Sequence, residues 1–588
     1  MRPRFRFALL ALVTTVGTAA SAAAPTHAAN GSSGELERMH SLLGSYLAAN
    51  FAKTENDTAN AAGFYWEALA LDPNNEVLLE QAFQAEASEA NWERAVPLAK
   101  RLIKLDPKHR LAHLVLGLNY FDKGSYKKAD KEFEAASEGP VGELTASLAR
   151  AWNALAAGDP GKARTFLELP RQAEWTRSYL NYHKALIADV AGNHKEAGAA
   201  FERSLRQGAP TLSIPLAYAR HAANEGKNDL AETILDGQTG KTQEEPHALV
   251  SALKEEIKSG KKVPLLINTP KEGMAEVFYG LGELLTGEGG LGMGILYLQM
   301  ALYMEPKHEF ALATLASAYE TSRRFEDAIA IFDRIPKDTA LQPAIEIRKA
   351  LDLNSLDKVD EAKAILDKLA AENPDDIKPL DALANIMRSR KRYKEAIDYY
   401  TRALALIPKP DKRHWSLYYS RGTCYERLKD WPPAEADLKE ALKLYPDQPL
   451  VLNYLGYSWI DQNRNLKDGM ALIEKAVALK PDDGYIVDSL GWAHYKLGNF
   501  EQAVRFLERA VELRPEDPVL NDHLGDALWH VGREREARFQ WDQALTLEPE
   551  PEDAVKIKAK LADGLPPDVQ AQALRKQKET KLTPPRVE

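Results

Sequence analysis

The sequence predicts an all-α solenoid of about fourteen helix–turn–helix units. Three observations predict it: a small residue that returns every 34 positions, two amphipathic helical patterns inside each interval, and a Pro that closes many intervals.

The period comes first. Starting from Ala61, steps of 34 meet Ala95, Ala129, Ala163, Ala197 and Ala231. A second run holds Gly294, Ala328, Ala362 and Ala396, then Ala434, Gly469, Ala503 and Ala537 at steps of 38, 35, 34 and 34. That makes fourteen units.

The elements of each unit follow in order. The first helix carries a Leu-Gly or similar pair, as at Leu43-Gly44, Leu116-Gly117, Leu281-Gly282 and Leu455-Gly456, with an aromatic or apolar residue one turn on (Tyr120, Tyr319, Tyr425, Trp459). A Gly often ends this helix, where a left-handed backbone is easy without a Cβ: Gly124, Gly158, Gly192, Gly226, Gly289, Gly498 and Gly532. The second helix begins near the periodic small residue, which allows a close crossing. A larger residue sits four positions later on the same face, as at Phe133, Phe201, Phe332 and Tyr400. Pro73, Pro107, Pro306, Pro374, Pro408, Pro446, Pro481, Pro515 and Pro549 then stop it, since Pro lacks the N–H and bends its predecessor out of helical geometry.

These residues resemble the tetratricopeptide-repeat family, whose pattern is W-x2-L-G-x2-Y…A-x3-F…P. The resemblance runs from about Glu35 to Glu550. It is specific at Leu116 to Ala136 and in the second half, and degenerate from Leu144 to Asp236, where the Leu-Gly pair is lost. It implies a right-handed superhelix whose first helices line a concave groove that accepts extended or helical peptides.

Six units occupy 35–237 and eight occupy 273–550. Between them, 238–272 holds one helix (Pro246 to Lys258) and the apolar, Pro-bounded strip Val263 to Pro270. The strip is read as a packed elbow in preference to a hinge, because exposed apolar runs are disfavoured. A capping helix is expected at 551–565, because a solenoid needs a polar terminal face. The polar, Pro-containing tail 566–588 is expected to be disordered.

Residues 1–28 read as a cleaved export signal. Arg2, Arg4 and Arg6 precede the apolar stretch Phe7 to Val16, and small residues follow at Ala20-Ser21-Ala22 and Thr26-His27-Ala28. The stretch is short for the roughly 20 residues of a membrane span. A periplasmic protein is expected, and no Cys near this segment offers a lipid attachment point. The lone Cys424 rules out an intramolecular disulfide. Hydrophobic residues at 45% and charged residues at 28% allow a continuous core, while the net charge of −10 argues against a general nucleic-acid surface.

No phosphate-binding loop, nucleophile elbow or paired-Cys spacing is present, so no enzymatic activity and no cofactor are expected. Gly287 to Gly292 is Gly-rich but has no preceding strand, and reads as a turn. Cys424 lies within a first helix and reads as a buried thiol. His109 and His113 have the four-residue spacing of two ligands on one helical face, but no third ligand accompanies them. His494 holds a core aromatic position.

The groove face can be read on each first helix from positions three before and one after the Gly, and four further along. Those places and their neighbours give Tyr419, Asn453, Tyr457, Asp488, Trp492, Tyr495, Asp522, His523, Asp526 and Trp529. Large rings bury area at low entropic cost, and amides and carboxylates suit a peptide backbone. The competing reading is that some rings pack between adjacent first helices. The family's clamp for acidic C-terminal tails needs Lys and Asn where this chain has Asp381, Tyr454 and Ser489, so chaperone-tail binding is not expected.

The block from Asn453 through Trp492 to Asp526 is similar to large exported repeat proteins of Gram-negative bacteria. Their characterised members are lipoprotein adaptors of a periplasmic carboxyl-terminal processing protease. The resemblance implies a scaffold or adaptor for other proteins, and the two runs of units on either side of the elbow suggest one partner per superhelical half; the alternative is a structural subunit of an envelope export or assembly machine.

Overall fold

In the computed structural model of the protein, residues 41–565 are described, apart from 56, 169–173, 209–210, 239–246 and 288. The expected signal segment 1–28 and the tail 566–588 lie outside the described residues. The described chain is helical throughout and contains no strand.

The first run comprises six helix pairs. They are α1 (Leu42–Thr54) with α2 (Thr58–Leu71), α3 (Glu76–Ser88) with α4 (Trp92–Leu105), and α5 (Arg110–Asp122) with α6 (Tyr126–Ala135). Next come α7 (Gly139–Ala156) with α8 (Pro160–Phe166), α9 (Glu174–Val190) with α10 (His194–Arg206), and α11 (Ser213–Asn224) with α12 (Asn228–Asp236). A single helix, α13 (Ala248–Lys258), precedes the second run.

The second run opens with α14 (Pro270–Gly287) and α15 (Leu291–Met304), then α16 (Glu309–Thr321) with α17 (Phe325–Phe332). It continues with α18 (Gln342–Ser355) and α19 (Val359–Glu372), then α20 (Lys378–Ser389) and α21 (Tyr393–Ala405). After these come α22 (Trp415–Arg427) with α23 (Trp431–Leu444), and α24 (Pro449–Asp461) with α25 (Leu466–Leu479). The last pairs are α26 (Gly484–Lys496) with α27 (Phe500–Leu513), and α28 (Pro518–His530) with α29 (Glu534–Thr546); α30 (Pro551–Asp563) ends the helical chain.

The periodic small residues are buried where the two helices of a unit cross, and the larger residue four places on fills the gap beside them. In the third unit Phe133 lies so close to Gly117 that a Cβ there would stand 2.4 Å from the ring, which is why the Gly follows Leu116. Leu43-Gly44 is not the equivalent pair. Gly44 lies in the first turn of α1, its N–H bound by Ser41 Oγ, and buried Ala49 takes the crossing position twelve residues before Ala61.

The turn between paired helices has one backbone solution. Gly124, Gly158, Gly192, Gly226, Gly289, Gly498 and Gly532 all have positive φ, as do Ala90, Arg323, Asp357, Lys391, Lys429 and Asn463 in units that lack the Gly. The 34-residue register therefore repeats a backbone conformation as well as a packing contact.

Neighbouring first helices touch one another directly along the second run (α18 with α20, α20 with α22, α24 with α26, α26 with α28), whereas second helices pack chiefly on first helices. The side on which successive helices crowd is the inside of the curve, so the first helices form the concave face.

The two runs are not laid end to end. Helix α14 packs on α7 and α9, and α15 packs on α3 and α5, all of them first helices of the first run. The pair therefore lies within the concave face of the first run. Gly273 meets the Trp152 indole and Gly280 meets Tyr179 so closely that a Cβ would stand 2.3 Å and 2.2 Å from those rings' nearest atoms.

Several polar groups in this interface are matched, although His183 Nε2 and Tyr297 OH are buried with no hydrogen-bond partner among the described residues. Tyr179 OH donates to the carbonyls of Glu276 (2.9 Å) and Val277 (3.1 Å), and Tyr182 OH donates to Glu276 Oε1 at 2.8 Å. His308 Nε2 lies 3.1 Å from the other Glu276 oxygen. Trp152 Nε1 donates to His183 Nδ1 at 3.0 Å, and burial pushes the His183 pKa down to about 3, keeping that ring neutral. Toward α15, Asn119 Nδ2 donates to Tyr303 OH (3.0 Å) and Gln299 Nε2 to the Ser88 carbonyl (3.1 Å). One hydrophobic cluster extends from Ala49 to Ile345 across both runs.

The strip 263–270 lies against α11. Val263 and Ile267 are buried, and the carbonyls of Val263 and Pro264 accept from Asn224 Nδ2 (2.6 Å) and Arg220 Nη1 (3.1 Å).

Candidate functional site

The first helices α22, α24, α26 and α28 carry the sequence-derived groove residues, and the structure divides those residues into three groups.

The first group lines the concave face without being held by the chain end. Tyr419 is half-buried, with its ring edge-on to Tyr454 at 5.7 Å and 5.9 Å from Trp415. Tyr454 OH donates to Glu426 Oε2 at 2.8 Å. Asn453 Nδ2 donates to Ser489 Oγ at 3.0 Å, while its Oδ1 is buried with no hydrogen-bond partner among the described residues. A shielded carbonyl oxygen without a donor is disfavoured, so this atom is ready to accept an N–H. Burial, with Asp461, Asp488 and Glu426 nearby, raises the Tyr457 phenol to about 12, so it remains a hydroxyl donor at neutral pH.

The second group is a stack. Trp492 lies between His523, at 3.9 Å and 15°, and Tyr495, at 4.5 Å and 10°. Asp488 on the preceding first helix holds His523 Nδ1 at 3.0 and 3.1 Å from its two oxygens. Burial opposes charging that imidazole, but Asp488 outweighs it and the His523 pKa is raised. A protonated ring on the Trp492 face adds a cation–π attraction to the stack.

The third group is tied to α30 and the residues that follow it. Lys560 of α30 places its Nζ 2.8 Å from carboxylate oxygens of both Asp522 and Asp526, and buried Asp526 also accepts from Trp541 Nε1 at 2.9 Å. Trp529 donates from Nε1 to the Leu565 carbonyl at 3.2 Å, and its ring lies 5.5 Å from Trp541. These three residues hold α30 and the residues after it on the last unit, and Asp522 and Asp526 also line the cleft beside it. Where α30 leaves α28, a cleft of about 250 Å³ remains, with Trp492 and His523 on one side and Ile557 and Lys560 on the other.

The remaining candidates fall into place individually. His109 Nε2 contacts Glu80, while His113 Nδ1 lies 2.7 Å from Glu132 and its Nε2 lies 3.0 Å from the Pro107 carbonyl. The two rings serve different carboxylates and do not converge. Cys424 is buried and its thiol is pushed up to about 11 by burial, far from a thiolate nucleophile. His494 stacks on Phe506 at 5.5 Å, and burial lowers its pKa. Gly289 and Gly290 form the turn between α14 and α15.

Sequence reasoning missed the occupied concave face of the first run. The signal was present in α15, Leu291–Met304, which is apolar on every side and so predicts burial all round.

Comparisons with known proteins agree with the repeat geometry. Sequence models described as tetratricopeptide repeat match residues 81–143, 144–168, 376–447, 419–484 and 487–517. The chain belongs to the tetratricopeptide-repeat family. This tetratricopeptide-repeat protein is 31% identical over 204 residues to the TPR repeat-containing protein PA4667 of Pseudomonas aeruginosa, an alignment that takes in 33% of this chain and 32% of that one. It is 41% identical over 68 residues to the Heat shock protein sti1 homolog of Schizosaccharomyces pombe, 12% of this chain and 11% of that one. The match therefore spans about a third of the first relative's length and about a tenth of the second's. Among solved structures, a chain of the APC/C hetero-tetramer Cut9-Hcn1 is 14% identical and aligns over 89% of this chain and 96% of its own, at a TM-score of 0.37. No helix among the described residues is long and apolar enough to cross a membrane.

Proposed function

We propose that this tetratricopeptide-repeat protein is an interaction scaffold with one working groove, the concave face of the second run from Tyr419 to His523. The observation that carries this reading is the contrast in occupancy. The first run's concave face is filled by α14 and α15, whereas the second presents rings, a phenol donor and the unpartnered Asn453 Oδ1. The expectation of one partner per half gives way on this reading to a single groove beside a self-filled half.

A partner segment lying across α22, α24 and α26 would bury its side chains against Tyr419, Tyr457 and the Trp492 stack. Its backbone N–H groups would meet Asn453. The arrangement suits a peptide or helix, since aromatic anchors and a few fixed polar groups supply most interface energy.

The finer reading is an exported adaptor that presents client proteins to an envelope protease. It is supported by the charged and apolar pattern of residues 1–28 and by the resemblance of the 453–526 block to exported repeat proteins. The test is in-cell photo-crosslinking from Tyr457, with Phe539 on α29 as an exposed control outside the groove. Adducts at Tyr457 that are absent at Phe539, and that include a processing protease or a cell-wall hydrolase, are expected. Adducts confined to export or outer-membrane assembly components would make the protein a structural subunit instead. Equal adducts at both positions would remove the groove assignment.

A further inference from the structure

We propose that Asp189, His194 and His221 form a binding site for a divalent transition-metal ion of the zinc class, independent of the concave groove. Three successive helices supply the three side chains: Asp189 lies in the last turn of α9, His194 opens α10 and His221 lies in α11. Their donor atoms all lie within 4.8 Å of one another.

Both imidazoles reach the carboxylate through the same nitrogen. His194 Nδ1 is 3.1 Å from Asp189 Oδ1, and His221 Nδ1 is 2.8 and 2.9 Å from Oδ1 and Oδ2. Tetrahedral zinc with bonds of roughly 2.0–2.1 Å needs donor atoms about 3.3 Å apart, so the His–Asp separations widen by a few tenths of an ångström while the donor atoms, which lie within 4.8 Å of one another, draw round the ion.

The electrostatics favour a cation there. Asp189 is 6% exposed, and among the described residues its ion-pair partners are these two imidazoles, with no Lys or Arg. A carboxylate taken out of water needs compensating charge. A divalent ion supplies that charge. Two imidazole nitrogens and one carboxylate oxygen are a donor set of zinc-class sites, and the fourth position is left for water.

The rings are placed to serve as ligands. His221 is 3% exposed, with its ring 5.4 Å from Phe201 and its Nε2 beside Gly198, where a Cβ would stand only 3.1 Å away. His194 is exposed and leaves the solvent side open for entry and for the water ligand. On binding, each ring coordinates through Nδ1, the nitrogen that faces Asp189.

The test is a cobalt(II) titration of the full-length, untagged, metal-free protein followed by visible absorption, with zinc(II) added in competition. One saturable cobalt site per chain, displaced by zinc, is expected. Because His194 is exposed, His194→Ala leaves the fold intact and should weaken binding by more than about 100-fold, beyond the loss typical of an outer partner of a ligand. Asp189→Asn should do the same, whereas His109→Ala should leave the titration unchanged. No cobalt binding below millimolar concentration, or a His194→Ala curve that matches the unsubstituted protein, would reduce the cluster to a hydrogen-bonded carboxylate and overturn the proposal.

Discussion

The concave faces of the two runs are made from the same repeating unit, yet they have opposite fates. In the first run, Trp152, Tyr179 and Tyr182 point at a helix of the same chain, and every polar group of Glu276 is matched. In the second, Tyr419 meets Tyr454 and Trp415, Trp492 stacks on Tyr495 and His523, and Asn453 Oδ1 has no partner among the described residues. Aromatic rings on a first helix therefore do not by themselves mark a partner site. What separates the two faces is whether another segment of the chain reaches and fills them.

The contrast is most severely tested at Gly273. A side chain there enters the volume of the Trp152 indole, which is fully buried and has no room to yield. Gly273→Leu should lower stability by about 3 kcal/mol, the upper part of the range for overpacked cores, and urea unfolding reads it directly. A denaturation midpoint equal to that of the unsubstituted protein would mean that α14 does not fill the first groove.

A pH titration probes the same interface. Burial raises the Glu283 carboxyl of α14 to about 7, with the Tyr279 hydroxyl partly opposing and the Glu276 charge adding to the shift. The folded state thus holds a proton that the unfolded chain gives up near pH 4.5. Its contribution is complete below about pH 4.5 and fades as pH rises through 7, because over that interval the folded state binds more protons. Glu283→Gln should flatten the loss of stability between pH 5 and 8 that the unsubstituted protein shows. An unchanged pH profile in that variant would remove Glu283 as its source.

For the second run the measurement is binding. Trp492→Ala should weaken capture of the Tyr457-crosslinked partner about tenfold, or roughly 1.4 kcal/mol, as removal of a central aromatic anchor does. Trp529→Ala should instead lower the melting temperature through loss of its hold on Leu565. If Trp529→Ala abolished capture with stability intact, Trp529 would belong to the groove.

The smallest effect is at the helix junctions, where the runs also differ. The first run uses Gly124, Gly158, Gly192 and Gly226, whereas much of the second places Arg323, Asp357, Lys391, Lys429 and Asn463 in the same positive-φ turn. Lys391→Gly should stabilise the second run by about 1 kcal/mol by removing the clash of a Cβ with the following carbonyl, net of the added chain entropy. Thermal unfolding would show it, and no gain would mean that the Lys391 side chain offsets its backbone strain.

Much of the fold was legible because it is local. Ala129 with Phe133 and Gly117 describes one crossing, and that crossing recurs with each 34-residue step. The groove was legible only in part. Tyr457 and Trp492 were found from helical position alone, but Trp529 occupies an equivalent face and is covered by α30, and position within a helix does not reveal what lies above it. Leu43-Gly44 misled for the opposite reason: the dipeptide matched, but the register that gives it meaning did not.

The sequence by itself determined the helices, their order, the junction backbone and the residues at each crossing, because these depend on contacts within a unit or between adjacent units. Only the tertiary structure decided that α14 and α15 turn back into the first concave face, that Lys560 claims Asp522 and Asp526, and that Asp189 gathers two histidines. The apolar sides of α15 state that it must be buried, but the hydrophobic effect has no direction. Which surface buries that helix is fixed by where the elbow along α11 lets the chain go and by the glycines that fit against Trp152 and Tyr179.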